Sequence, residues 1–516
     1  MLLAAIASGQ VTTSQYNNAR TGAYLNETIL TPQNVNANQF GRVFRLPVDG
    51  DVYAQPLFLP ALDIPGKGKH NVLFVATQHN SVYAFDADAL APPLWQVSFI
   101  NPSAGVRTVT EREVRCPFIS PEIGITPTPV IDPATGTLYV LARTNENGLY
   151  YQRLHALEVT TGKEKFGGPI AIQASVKDSG YFGGHLAGQV SFSQLRELPR
   201  AALLLVNGQV YLSWGSSCDV GPYHGWVMAY DARTLKQTAV LNTSPDSSES
   251  GIWQGDAGIA ADAGGNVYAV TGNGKFDAAS GGRDYGDTVL KVAFTNGSLI
   301  VRDYFTPSNQ EHLNAEDLDL GSTGPVLLPD QSGPHQHVLV VGDKDGKIYV
   351  VDRDHLGKFR AGNNDHAVQT IVRGAGDGAF GAPAYWNGHL YLLGSKDVLK
   401  AWAVNGGRLS PQPVAAASTM FTDPGATPTV SANGSKNGIV WVVQTKTWNA
   451  RGSGNPAVLR AYDAANVAHE LFNSMQNASR DSAGPALRFV IPTVVNGRVY
   501  IGAKDEVDVY GLLAPH

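Results

Sequence analysis

Short apolar strands separated by polar turns recur along the whole chain, at a spacing of roughly 45–65 residues. In each repeat an apolar segment is followed by a turn, often Asn-Gly, and then by a strand of the Val-Tyr-Val kind. Alternation of apolar and polar positions over such short segments predicts β-strands. The predicted second strands of the eight repeats span 71–76, 137–142, 209–214, 266–271, 337–342, 389–394, 438–444 and 498–502.

The third strand of each repeat is equally regular, and several third strands end in Asp, such as Asp86, Asp231 and Asp352. Eight such repeats predict an all-β fold, a single eight-bladed β-propeller with four-stranded blades. The eighth repeat stops after three strands, and the isolated strand predicted over 41–48 fits its missing edge. We therefore expect the N-terminal strand to join the C-terminal blade and close the ring. A linear solenoid is the alternative, but the sequence contains no polar caps for it.

The amino-acid composition and the N-terminal residues indicate which partners and which cellular compartment to expect. Residues 1–12 resemble the remnant of a secretory signal peptide, which leaves 13–516 as one propeller domain. The net charge of −6 and a charged fraction of 16% argue against a nucleic-acid partner, and no apolar run is long enough for a membrane span. We expect Cys116 and Cys218 to form one disulfide, which would suit a secreted or periplasmic protein; two free thiols are the alternative.

One passage carries a family resemblance. Residues 156–166, Ala-Leu-Glu-Val-Thr-Thr-Gly-Lys-Glu-Lys-Phe, resemble the tryptophan-docking motif of quinoprotein alcohol dehydrogenase-like propellers. A looser copy is Ala84-Phe85-Asp86 followed by Trp95. The passages 120–126 and 221–226 are similar to those of bacterial pyrroloquinoline-quinone-like repeat proteins. The resemblance covers nearly the whole chain and is specific for fold rather than activity.

The resemblance implies a quinone-dependent oxidoreductase that binds pyrroloquinoline quinone and Ca²⁺ and oxidises an alcohol or sugar. Electrons would then pass to a separate acceptor, because no Cys-x-x-Cys-His is present to build in a covalent haem. Members of the family often clamp the quinone between a Trp and a disulfide of two adjacent cysteines. Here the cysteines lie 102 positions apart, so we expect that clamp to be absent.

The loops on one face of a propeller surround its central channel. In this chain these loops carry many of the polar and charged residues that could bind a ligand or take part in catalysis. The loops that precede the first strands carry Asp51, Gln55, Glu122, Arg196, Arg200, Trp253, Gln254, Asp256, Asp317, Asp319, Asp377, Asp423 and Arg488. The loops between second and third strands carry His79, Asn80, Arg143, His224, Asn273, Asp287, Lys344, Lys396, Lys446 and Lys504. Four lysines at matching places in successive blades predict a cationic ring at the channel mouth.

From this set we assign candidate roles. The candidate bases are Glu122, Asp256 and Asp319, because a dehydrogenase needs a carboxylate to take the hydroxyl proton. The candidate cofactor-binding residues are Arg196, Trp253, Gln254, Lys344, Lys396, Lys446 and Lys504, since cations suit an anionic quinone. The candidate Ca²⁺ ligands are Glu122, Asn273 and Asp287.

Two other functions stay open at this point. The missing clamp and haem favour a non-catalytic extracellular binding or scaffold propeller, and the loop carboxylates would equally serve a hydrolase or lyase. Charged channel mouths also pair simply with one another and with water. The cationic ring and the acidic loops favour the cofactor.

Overall fold

The computed structural model describes residues 9–178, 188–362, 365–445 and 454–514. Eight antiparallel sheets follow one another along the chain and form the blades of one propeller, as the repeats predict. Blade 1 consists of Leu57–Ile64, Gly68–Ala76, Ser81–Asp86 and Trp95–Ser98, and blade 2 of Val130–Asp132, Thr137–Glu146, Leu149–Glu158 and Ile170–Ala171. Blade 3 consists of Leu204–Val206, Gln209–Ser216, Trp226–Asp231 and Gln237–Asn242, and blade 4 of Ala260–Ala261, Val267–Val270, Val289–Thr295 and Ser298–Phe305.

The second half of the ring repeats this plan. Blade 5 consists of Val326–Leu327, Val338–Gly342, Ile348–Asp352 and Gln369–Ile371. Blade 6 consists of Ala384–Trp386, His389–Leu392 and Lys400–Asn405, with Arg408–Leu409 and Ala415–Ala416 as its outer edge. Blade 7 consists of Thr429–Asn433, Lys436–Gln444, Val458–Asp463 and Glu470–Asn473, and Ala23–Tyr24 adds a parallel inner strand. Blade 8 consists of Thr493–Val495, Arg498–Ala503, Glu506–Leu512 and Phe40–Pro47.

The remaining elements are short and lie in the connections between and within blades. The extra strands are Val106–Arg107, Val109–Thr110, Glu122–Ile123, Ser175–Lys177, Gln189–Ser191 and Glu197–Leu198. The α-helices are Glu111–Val114, Gln310–Ala315 and Ala478–Asp481, and the 3-10 helices are Ser14–Tyr16, Pro102–Ala104, Gln254–Asp256, Ala278–Ser280 and Leu320–Ser322. None of the described helices is long and apolar enough to cross a membrane.

The predicted ring closure is confirmed, with the strand one residue earlier than expected. Phe40–Pro47 pairs antiparallel with Glu506–Leu512, in a register that places Phe40 opposite Leu512. The Phe40 ring is fully buried and meets the ring of Phe472 edge-on, with their centroids 5.0 Å apart. The strand therefore fills the exposed edge of blade 8 and contributes to the core beneath it.

Neighbouring blades are joined by one contact that recurs around the ring. The hydroxyl of a second-strand Tyr donates to the carbonyl of the Ala that follows the third strand of the next blade. The pairs are Tyr139 to Ala232 at 2.6 Å, Tyr391 to Ala464 at 2.7 Å and Tyr500 to Ala87 at 3.0 Å. The last pair joins blade 8 to blade 1. The same repeated contact therefore also stabilises the closure of the ring.

The tryptophan-docking passage also works between blades. The Trp95 indole Nε1 of blade 1 donates to the Val159 carbonyl of blade 2 at 2.9 Å. A Cβ added at Gly162 would lie 2.7 Å from the Trp95 ring, so only glycine leaves room for the indole. Gly162 also has φ +70°, which glycine adopts without cost.

A segment that the sequence analysis did not assign runs across the innermost strands of the ring. Backbone carbonyls of this N-terminal segment, residues 11–24, accept hydrogen bonds from the innermost strands of six blades. The donor amides are Phe58, Ile131, Ala261, Leu327, Tyr385 and Val430, at 2.7 to 2.9 Å. Side chains of the segment contact the two remaining blades. Asn18 Nδ2 donates to the Leu205 carbonyl of blade 3, and the Val494 amide of blade 8 donates to the Tyr16 hydroxyl.

Arg20 is the centre of this segment. Its side chain is fully buried, and its guanidinium donates to Thr13 Oγ1, to the Ser14 carbonyl and to the carbonyls of Leu203 and Ile259. The segment is thereby tied to blades 3 and 4 by one planar group. Val11, at the end of the predicted leader remnant, pairs with Phe58; the leader itself stays a prediction, since residues 1–8 lie outside the described residues.

Candidate functional site

A cavity of about 470 Å³ lies among the loops on one face of the ring. Its walls come from the loops that precede the inner strands of blades 2 to 8 and from the second-to-third loops of blades 3 and 5. The aromatic members are Phe118, Trp253, Phe380 and Phe489. The charged members are Arg200, Lys344 and Arg488, and Asp219, Asp317, Asp319 and Asp423. The predicted loop face thus does gather cations and carboxylates around one opening.

Two arginines of the cavity lie flat on phenylalanine rings. The guanidinium carbon of Arg200 is 4.5 Å from the centroid of Phe489, and that of Arg488 is 4.4 Å from the centroid of Phe118. Arg488 also donates to the Phe118 carbonyl. Because Phe489 follows Arg488 in the chain, blades 2, 3 and 8 form one continuous cationic and aromatic wall.

The opposite side of the cavity is acidic, with one lysine at its centre. The Lys344 ammonium lies 2.5 Å from Asp319 Oδ2 and 2.9 Å from Asp317 Oδ1. Burial alone would lower the pKa of Lys344, but the two carboxylates outweigh it and raise that pKa. The other carboxylate oxygen of Asp319 accepts the Asn273 amide at 2.5 Å. Asp319 is 3% exposed, so the Lys344 ammonium is the cation that balances a buried charge.

Asp219 continues this acidic side from the loop of blade 3. Its Oδ1 accepts the Tyr223 hydroxyl at 2.6 Å, and that hydroxyl lies 3.4 Å from Asn273 Oδ1. Burial raises the pKa of Asp219 to about 6, and the charges of Asp319 and Asp317 act in the same direction. At neutral pH Asp219 is therefore a carboxylate of increased basicity that faces the cavity.

The predicted disulfide between Cys116 and Cys218 is present, with Cα atoms 5.5 Å apart. It links the loop that precedes blade 2 to the second-to-third loop of blade 3. Together with Trp253, it lines a second chamber of about 40 Å³ beside the main cavity. A Trp and a disulfide thus do border the same small chamber, which has room only for water, and Trp253 and Cys218 also line the main cavity.

The structure brings together three of the predicted site residues, Trp253, Asp319 and Lys344, with Asn273 beside them. Glu122 instead holds His79 Nδ1 at 2.8 Å and the Thr108 hydroxyl at 2.7 Å. Asp287 is fully buried, where it accepts the Leu320 amide at 3.2 Å. Neither carboxylate lines the cavity, and both hold loop groups in place.

Among the described lysines of the predicted ring, Lys344 alone lines the cavity. Lys396 has a side chain that is 61% exposed and pairs loosely with Asp377 at 3.3 Å. Lys504 and Arg196 do not line the cavity, and Gln254 is buried with its Nε2 bonded to the Val270 carbonyl at 2.9 Å. Lys446 and the side chain of Asp256 lie outside the described part of the structure.

Replacing Lys344 by methionine is expected to lower the free energy of unfolding by about 2 kcal/mol, because the Asp319 carboxylate would stay buried without its cation. The equivalent change in the next blade, Lys396→Met, is the matched control and is expected to have almost no effect. Urea unfolding monitored by tryptophan fluorescence measures both. Equal midpoints for the two variants would contradict the assignment of Lys344 as a buried counter-ion.

Comparison with protein-family models gave no match, and comparison with curated proteins gave none either. Solved structures do match over almost the whole chain. Quinohemoprotein alcohol dehydrogenase ADHIIG from Pseudomonas putida HK5 is 15% identical, with a TM-score of 0.64 over 98% of this chain and 82% of that one. Quinohemoprotein alcohol dehydrogenase from Comamonas testosteroni is also 15% identical, with a TM-score of 0.63 over 97% of this chain and 80% of that one.

A europium-containing methanol dehydrogenase is 14% identical, with a TM-score of 0.60 over 98% of both chains. Identities at this level carry the architecture and leave the chemistry to the residues of the site. The resemblance inferred from the sequence is confirmed at the level of the fold. The chain therefore has the eight-bladed propeller fold of the quinoprotein alcohol and methanol dehydrogenases.

Proposed function

We propose that this protein is a quinoprotein-type oxidoreductase that binds a planar, anionic quinone in the central cavity and oxidises a small alcohol or sugar. The observation that carries the proposal is the wall formed by Arg200, Arg488, Phe118 and Phe489. Cations held against aromatic rings suit a flat ligand that carries carboxylates, because one surface offers stacking and charge together. The volume of about 470 Å³ falls in the usual range for sites of small molecules.

Pyrroloquinoline quinone fits this donor set. Arg200 and Arg488 would hold its carboxylates, and the ring of Trp253 borders the same cavity. When bound, the quinone would supply the two-electron acceptor of the reaction. The chamber between Trp253 and the disulfide is too small for a tricyclic quinone, so we place the cofactor in the main cavity.

The predicted Ca²⁺ site fits less well. Asn273 and Asp287 lie on neighbouring strand ends, but Glu122 binds His79 and Thr108 instead, and within the described ranges no three His, Cys, Asp or Glu side chains converge in a metal-binding arrangement. The position between Asp317 and Asp319 is taken by the Lys344 ammonium. The proposal therefore assigns no step to a metal ion. Metal ions are only added to the binding experiment below, as separate conditions.

The proton chemistry can be assigned to residues of the chain. Asp219 is the carboxylate best suited to take a hydroxyl proton from a substrate, because it faces the cavity with a pKa of about 6. The Tyr223 hydroxyl holds Asp219 in place, and Tyr223 is fully buried. Phe118, Phe380 and Phe489 line the same cavity and make it less polar beside the acidic side chains, which strengthens electrostatic interactions there. Lys344 limits the repulsion between Asp219 and its acidic neighbours.

Binding should depend on the two arginines. We expect purified protein to bind pyrroloquinoline quinone in calorimetry, and Arg488→Gln to weaken binding about tenfold or more, because a charge-assisted contact is lost. Arg233→Gln, on an exposed turn, is the control. The titrations are run without added metal, with Ca²⁺ and with a trivalent lanthanide. No heat under any of the three conditions would overturn the quinone proposal.

Turnover should follow the charge of Asp219. With an artificial electron acceptor and a panel of alcohols and sugars, we expect activity to rise as the pH increases through about 6 and to level off above it, because the carboxylate is the active form. Asp219→Asn should lower kcat by roughly 10²–10⁴-fold and abolish this rise. If the variant kept the parent pH profile, Asp219 would not be the base.

One observation favours a second candidate, a propeller that binds a ligand without chemistry. The side chamber between Trp253 and the disulfide is small, and Lys344 neutralises the acidic side from within the chain. A protein of this kind would bind the quinone or another planar anion and show no turnover with any substrate of the panel.

A further inference from the structure

Buried guanidinium groups lie at the contact between blades 2 and 3, away from the central cavity. Arg143, in the strand Thr137–Glu146, is fully buried, and its Nη2 donates to the Leu195 carbonyl. Its Nε and Nη1 are also buried and find no hydrogen-bond partner among the described residues. The Nη1 of Arg196, which follows Leu195, is likewise buried with no partner in the described ranges.

The neighbouring carboxyls balance these charges only in part: Glu197 and Glu113 raise the pKa of Arg143, but burial outweighs them. Glu197 is fully buried; its Oε1 accepts the Trp226 indole at 3.2 Å, while Oε2 meets no partner in the described part of the chain. Burial raises the pKa of Glu197 to about 8, which weakens this carboxyl as a counter-ion for Arg143. Burial lowers the pKa of Arg143 only to about 10, so Arg143 keeps its charge.

The next carboxylate outward, Glu113, already has its own cation. Its Oε1 lies 2.8 Å from Arg107 Nη2 and accepts from Asn145 at 2.8 Å and from the Tyr150 hydroxyl at 3.0 Å. Its direct ion pair is with Arg107, and it acts on Arg143 only at longer range. The group formed by Arg143, Arg196 and Glu197 therefore has an excess of positive charge and of unused donors in the interior.

We propose that Arg143, Arg196 and Glu197 bind one small monovalent anion, such as chloride, inside the protein. Buried charged donors without acceptors are strongly unfavourable, and an anion satisfies several N–H groups at once. When protonated, Glu197 would donate to the anion rather than repel it. Enclosure by the fully buried Arg143 and Glu197, with the buried Nη1 of Arg196 beside them, favours a monatomic ion over phosphate.

The anion would act on the wall of the central cavity through the chain. Arg196 and Glu197 lie just before Arg200, which lines that cavity. Glu197 is also paired with Ser216, at the end of the strand that leads to Cys218 and Asp219. A bound anion would hold both segments together, while lying apart from the proposed quinone position. The inference does not depend on the proposed function.

The test is the melting temperature in sodium chloride and in sodium gluconate at equal ionic strength. We expect chloride to raise it by about 2 °C for a site that is well saturated. Arg196→Met should abolish the difference, and it is preferred to Arg143→Met because Arg196 is only partly buried and its loss leaves the core intact. Arg112→Met, on the exposed side of a nearby helix, should retain the difference.

Crystals soaked in bromide provide the direct measurement. We expect one anomalous peak within hydrogen-bond reach of Arg143 and Arg196 in the parent protein and none in Arg196→Met. Equal melting temperatures in the two salts, together with no peak, would show that these donors bind water only and would overturn the proposal. A chloride effect that persists in Arg196→Met would be a general salt effect and would overturn it too.

Discussion

Replacing Arg20 by methionine is expected to lower the free energy of unfolding by about 3–5 kcal/mol, because a buried network of charge-assisted hydrogen bonds is lost. Four acceptors, including the carbonyls of Leu203 and Ile259, would stay buried without their donor. The loss falls where the N-terminal segment meets blades 3 and 4. We therefore expect the whole segment 11–24 to detach more readily from the ring.

Hydrogen exchange across residues 11–24 and the urea midpoint measure this change. Arg20→Lys tests geometry separately from charge: a lysine keeps the charge but cannot reach four acceptors in one plane, so we expect most of the loss to remain. Gly258→Ala tests the fit, since an added Cβ would lie 2.5 Å from the Arg20 guanidinium. Arg233→Met is the exposed control. Full stability of Arg20→Lys would contradict the planar network.

The propeller ring could be predicted because the same strand pattern recurs in every blade. Eight copies of one strand pattern define the blades, and a last copy that lacks its fourth strand calls for a partner from elsewhere in the chain. The observed strand Phe40–Pro47 differs from the predicted 41–48 by one residue. The Tyr hydroxyl that bonds to the next blade's Ala, as from Tyr500 to Ala87, lies within the same repeated pattern.

The N-terminal segment could not be predicted in this way. It makes its hydrogen bonds through backbone carbonyls to six different blades, and it therefore needs neither strand alternation nor a repeated residue. The fully buried Arg20 gave no sequence signal, because a single arginine in a polar stretch usually lies in solvent. Because backbone carbonyls make most of these bonds, the side-chain sequence of the segment carries little information about its position.

Some of the predicted site residues line the cavity and others do not. The difference comes from the direction in which each side chain points. Lysines at matching positions of successive blades need not point the same way: Lys344 turns into the cavity, whereas Lys396, with φ +46°, extends into solvent. Arg200 and Arg488 were in the wider set of loop charges but lacked a signal to separate them. Their partners, Phe489 beside Arg488 and Phe118 near Cys116, are the available clue. Asp219 was missed although it follows Cys218.

Replacing both Cys116 and Cys218 by serine should also have a large effect. The disulfide joins positions 102 apart, and its removal frees the unfolded chain to sample many more conformations. By the loop-closure relation, the loss for a loop of this length is about 3–5 kcal/mol. The parent protein, unfolded with and without a thiol reductant, should show a comparable difference in the midpoint. The double variant should be insensitive to the reductant.

The effect should also reach the cavity, because Phe118 and Asp219 lie within two residues of the two cysteines. Without the bond, the loop that carries Phe118 loses its tie to blade 3, and the ring beneath Arg488 is no longer fixed. We expect the double variant to bind pyrroloquinoline quinone about tenfold more weakly than the parent protein. Mild reduction of the folded protein gives the same readout without depending on how the variant folds. Unchanged affinity after complete reduction, verified by thiol titration, would show that the disulfide stabilises the loops without shaping the cavity.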